Sequence, residues 1–180
     1  MDKRLKWLCA ILLPMLLSGR ALAADQPEAV VRSLVAQEIK CGWGHSCQPK
    51  IFDGHPSDLT HRFLTREFGM AWANAIRHNQ TVDVWDGNIL TGGQGETVLG
   101  SVSYKSTVIS PVIVSVVTGL RVRNELRTQI NYTKFILKFE ANTWKVDDIV
   151  LMPFRQQGGR NFDHGRSEKQ YFVKIDRDNR

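Results

Sequence analysis

The chain is poor in cysteine, and its one long apolar run lies at the very start. Cysteine occurs three times in 180 residues, too few for a disulfide-dense scaffold. No Cys-x-x-Cys spacing exists, which argues against a thioredoxin-type redox pair. Gly-x-Ser-x-Gly and His-Glu-x-x-His are also missing, so neither a nucleophile elbow nor a zinc-protease helix is encoded. Thr91-Gly92-Gly93-Gln94-Gly95 is rich in glycine but lacks the Lys-Ser/Thr of a phosphate loop, and reads as a flexible connection. Charge of one sign is modest too. There are 24 basic and 18 acidic residues, with no basic patch interleaved with aromatics, so nucleic acid is not an expected partner.

The apolar run has a specific setting. Lys3, Arg4 and Lys6 precede Trp7–Leu17, which only Pro14 interrupts, and Ala21-Leu22-Ala23 follows as a small-x-small site. That order is a secretory signal, residues 1–24, with an apolar core too short to remain as a membrane span. Cys9 lies within the apolar run and not just after it, so no lipidation cysteine is present. The expected product is periplasmic, soluble after cleavage and without a stable membrane anchor. Of its 156 residues, 20 are basic and 17 acidic, a formal charge of +3. One domain over 25–154 is expected, then a basic tail over 155–180 that holds seven basic and four acidic residues.

Two cysteines follow the signal, in Cys41-Gly42-Trp43-Gly44-His45-Ser46-Cys47. An even count in an exported chain favours a Cys41–Cys47 disulfide, closing a small loop with Trp43 and His45 near its tip. A metal site with His45 and His55 is the alternative, but its ligands follow no recognised spacing. No cofactor or metal is expected.

Helical signals come first. Asp25-Gln26-Pro27-Glu28 opens a helix whose Val30, Val31, Leu34, Val35 and Ile39 share one face. Ser57 caps a second helical region, in which Leu64, Phe68, Ala71, Trp72, Ala75 and Ile76 recur at amphipathic spacing. Strand signals follow: Val82-Asp83-Val84-Trp85 before the Asp86-Gly87 turn, then Val98–Ile109, Val112–Val117, Thr128–Glu140 and Trp144–Leu151. Gly119 is a candidate bulge or bend. A bulge near Thr133 is expected because Ile130 and Tyr132 are out of phase with Phe135, Leu137 and Phe139. Ala141-Asn142 reads as a tight turn, and Ser167–Asp176 as a short helix or strand. Helices followed by adjacent strands predict an α+β fold.

The element order, and the closing strand Trp144-Lys145-Val146-Asp147-Asp148-Ile149, resemble the nuclear-transport-factor-2-like (cystatin-like) fold. Within that fold the chain resembles a family of uncharacterised bacterial periplasmic proteins and lipoproteins. The resemblance spans Val30–Leu151, with Asp83–Asp86 as the mid-chain turn. It implies two N-terminal helices packed on a curved antiparallel sheet, a cone whose mouth can hold a small molecule, and no established reaction. Asp83, Asp86, Asp147 and Asp148 are the acids available to such a cavity, with His55, His61 and His78 as bases. Asp147 and Asp148 are adjacent, so a regular strand would point them to opposite faces. The apolar phase shift from Val146 to Ile149 instead predicts a bulge there, with a carboxylate accepting backbone N–H bonds. The expected function is recognition without chemistry: an exported binding protein whose partner is an envelope protein, as for an inhibitor or immunity protein, met through Trp43 and His45. The alternatives are a small-ligand carrier using the cone cavity and, less favoured, a small hydrolase or isomerase.

Overall fold

The computed structural model describes residues 26–41, 51, 57–78, 90, 97–123, 127–151 and 165–178. Helix α1 spans Pro27–Cys41. Pro27 suits the first turn, where its missing N–H has no intrahelical role. Val31, Leu34 and Val35 are buried, and Ile39 packs against the same core. On the exposed side Glu28 pairs with Arg32 at 2.7 Å. The Arg32 guanidinium lies 3.9 Å from the Tyr104 ring centroid, which ties α1 to the sheet.

The second helical region is interrupted. Helix α2, Asp58–Phe63, starts at a Ser57–Thr60 capping box. At Leu64 the backbone becomes extended and forms a parallel bridge to Val146, with the Thr65 N–H donating to the Val146 carbonyl at 2.9 Å. Helix α3, Arg66–His78, then begins. Thr65 Oγ1 accepts from the Phe68 N–H at 3.2 Å, so Thr65 caps it. The expected pair of early helices is therefore three, because the backbone turns extended at Leu64 and the Thr65 N–H goes to Val146 in place of a helical carbonyl. The predicted apolar stripe survives the break: Leu64, Phe68, Ala71, Trp72 and Ala75 are all buried.

Four strands form an antiparallel meander: β1 Thr97–Ser110, β2 Ile113–Arg123, β3 Thr128–Glu140 and β4 Thr143–Leu151. A two-residue β5, Arg166–Ser167, extends the order to β1-β2-β3-β4-β5. The fold is α+β with a five-stranded open sheet. Ala141 and Asn142 have φ of 52° and 63°, the left-handed pair that a tight two-residue hairpin requires.

Two expected bulges are elsewhere. Gly119 pairs in unbroken register with Tyr132 on β3; the extra residue opposite it is Val102 of β1. A Cβ at Gly119 would lie 2.8 Å from Ser103 Oγ, so glycine is there for close approach. Thr133 is likewise regular, paired with Thr118 and Leu151. The core phase of β3 continues straight through Asn131, Thr133, Phe135 and Leu137. Two polar residues occupy core positions while Ile130 stays exposed. Thr133 is tolerated because its hydroxyl donates to the Leu90 carbonyl.

Helix α4, Glu168–Asp178, follows β5 directly, so the segment left open between helix and strand supplies both. Residues 166–178, read from their charge as a solvated tail, are joined to the core. Phe172 is fully buried and stacks on Phe68 with ring centroids 6.1 Å apart.

Candidate functional site

The predicted irregularity between Val146 and Ile149 is present. Ile136 pairs with Asp148 and Leu137 with Val146, leaving Asp147 as the extra residue of β4. The bulge gives the two aspartates different side-chain partners.

Asp147 is buried among cations and a hydroxyl. Its Oδ1 accepts from Thr65 Oγ1 at 2.9 Å and from Lys169 Nζ at 3.1 Å, and its Oδ2 lies 2.9 Å from Lys138 Nζ. Glu67 closes the cluster, 2.9 Å from Lys169 Nζ and 3.6 Å from Lys138 Nζ. Burial pushes the Asp147 carboxyl up, but the hydrogen bonds from Lys138, Thr65 and Lys169 outweigh it and hold the group below the usual carboxylate range. The hydrogen bond from Lys169 lowers Glu67 in the same way. Lys138 is raised, first by its hydrogen bond to Asp147.

Asp148 is the acceptor of backbone N–H groups. Its Oδ1 takes the Ile149 N–H at 2.8 Å and the Lys169 N–H at 3.0 Å, and Ser167 Oγ donates to Oδ2 at 2.6 Å. Ser167 Oγ in turn accepts from the Gln170 N–H at 3.1 Å. Together they satisfy the first turn of α4. Glu168 beside them is fully buried. Oε1 meets Arg166 at 2.7 Å, while Oε2 has no partner. Burial raises its pKa against the opposing charge of Arg166.

With their lone pairs given to lysines, a threonine and the α4 cap, Asp147 and Asp148 fasten α3, α4 and β5 to the sheet. Each carboxylate thereby spends three of its roughly four acceptor positions on structural partners.

An open cavity of about 360 Å³ lies elsewhere, between the start of α1, the end of α2 and the start of β4. Ser33, His61, Arg62, Phe63, Thr143, Trp144 and Lys145 provide its side-chain chemistry, and neither Asp147 nor Asp148 borders it. Lys145 Nζ donates to the His61 carbonyl at 2.9 Å, which fixes α2 against β4. Trp144 is held edge-on to Phe139 at 5.4 Å. Composition along the chain singles out His61 as a base but does not bring Arg62, Trp144 and Lys145 to the same place. The pairing of β3 with β4 and the break at Leu64 do that.

Cys47, Trp43, His45, His55, Asp83 and Asp86, the side chains of Cys41 and His78, and the signal at 1–24 lie outside the described residues. Among the described residues no three His, Cys, Asp or Glu side chains converge as metal ligands, and no helix is long and apolar enough to cross a membrane.

No family model, curated protein or solved structure matches this chain.

Proposed function

We propose that this chain is an exported, non-enzymatic binding protein of the cystatin-like cone type, and that it captures a small ligand in the cleft bordered by α1, α2 and β4. The observation that carries the reading is the composition of that cleft. An indole and a phenyl ring stand beside three basic side chains and two hydroxyls in one cavity of about 360 Å³. Polar groups placed beside aromatic rings, in a volume of that order, are means by which small-molecule sites orient a ligand. The test is a thermal-shift screen of the mature chain from Asp25, repeated on Trp144→Ala and Arg62→Ala. Compounds bound in the cleft stabilise the parent and lose their effect in both variants. Stabilisation retained in both variants would place recognition elsewhere.

A protein partner is the second reading, favoured by a different observation. Val108, Ile109 and Val112 are 74%, 55% and 52% exposed around the β1–β2 turn, an apolar strip at a sheet edge that could serve recognition together with the Trp43 loop. An inhibitor or immunity role would then require that Trp43→Ala abolish binding of the partner without unfolding the domain.

A further inference from the structure

We infer that the ligand of the cleft is a small organic anion, a carboxylate or phosphate ester with a flat apolar body. This rests on the proposal that the cleft is the binding site. The described side chains bordering it include His61, Arg62 and Lys145 and no carboxylate. Among the described residues the Arg62 and Lys145 cations have no ion-pair partner. Elsewhere Lys138 of β3 and Lys169 of α4 are matched closely, both sitting on Asp147 and Glu67. Lys145 lies directly across the strand pair from Lys138, a like-charge placement that is unfavourable by itself. Lys138 is drawn away to Asp147, whereas Lys145 is turned to the cleft, where its one described bond is to the His61 carbonyl.

Two cations, Arg62 and Lys145, gathered beside a cavity with no counter-charge among its described lining residues favour an anion in that cavity. An arginine and an ammonium flanked by the Ser33 and Thr143 hydroxyls supply several hydrogen-bond donors to one anionic head group. Trp144 and Phe63 leave an apolar wall for the rest of the molecule, and a planar ring would stack there.

The test titrates the mature chain, followed by amide and indole N–H chemical shifts, with four probes at one ionic strength. They are indole-3-acetate, phenyl phosphate, indole-3-acetamide and tryptamine. The inference expects saturable shifts at Ser33, Arg62, Trp144 and Lys145 with the two anions, and the stronger of them identifies the head group. The neutral amide should bind about tenfold more weakly, the size of one charge-assisted hydrogen bond, and the amine should leave the cleft unshifted. Arg62→Gln, at an exposed position, should remove the preference of acetate over acetamide. If the amide or the amine occupies the cleft as tightly as the anions, the anion inference is wrong and the cleft proposal stands. If no probe shifts the cleft residues, the cleft proposal itself fails.

Discussion

Lys169 holds both members of the aspartate pair. Its ammonium lies 3.1 Å from Asp147 Oδ1 and its backbone N–H donates to Asp148 Oδ1 at 3.0 Å. One residue at the start of α4 thus reads both sides of a bulge in β4. The same Asp147 orients the Thr65 hydroxyl that caps α3. Two adjacent carboxylates therefore decide how the third and fourth helices are attached to the sheet.

Replacing Asp148 by alanine should loosen α4. The substitution removes the acceptor of the Lys169 N–H, the Ile149 N–H and Ser167 Oγ. Loss of a helix cap with its neighbouring bonds costs about 2 kcal/mol. Hydrogen exchange should accelerate across 168–178 more than across β2, while denaturant midpoints give the total.

Asp147→Ala should be harsher, about 3 kcal/mol, because it strands Lys169 with only exposed Glu67 as its partner. The parent should also lose stability in acid. The folded Asp147 carboxyl titrates below its unfolded value. Its contribution is therefore complete above about pH 4 and is lost as the pH falls through the lower, folded value. Urea midpoints measured from pH 6 downward should show that decline in the parent and a shallower one in Asp147→Asn.

Glu168 runs the other way. Its folded pKa is raised by burial, so as an anion it destabilises the fold at neutral pH, and protonation on acidification relieves this. Glu168→Gln should be more stable than the parent at pH 7 by about 1 kcal/mol. The difference should shrink as the pH falls through the folded pKa towards the ordinary glutamate value. Paired thermal scans at pH 7 and pH 5 check the sign.

The β3–β4 turn leaves stability to be gained. Ala141 holds a φ of 52°, which an alanine Cβ disfavours and asparagine tolerates. Replacing Ala141-Asn142 by Asn-Gly should raise stability by about 1 kcal/mol, read as a higher melting temperature with an unchanged spectrum at the core residues.

Much of this arrangement was legible in the chain. The phase change between Val146 and Ile149 announced the bulge, and the backbone-accepting carboxylate expected there is Asp148. The companions of Asp147 were not legible. Thr65, Lys138 and Lys169 are drawn from the cap before α3, from β3 and from α4, and only the tertiary register brings them within 3.1 Å of it. The Thr133 bulge was misplaced because hydropathy assigned Ile130 and Tyr132 to the core, whereas Asn131 and Thr133 are buried there. Charge concealed the burial of α4, though a short helix was one of the two expectations there: Tyr171, Phe172 and Ile175 sit at helical spacing among lysines and acids, and all three pack on the core. Trp144 and Lys145 were visible only as a strand opening, since the cleft they border depends on where α2 ends.

Recognition at the α1–α2–β4 cleft is tested by an amide correlation spectrum of the mature chain titrated with the low-molecular-weight fraction of envelope extract. Capture in the cleft should give saturable shifts centred on residues 29–33, 61–63 and 143–145, absent in Trp144→Ala. Shifts centred on 42–50 or along β1, with the cleft unchanged, would contradict it.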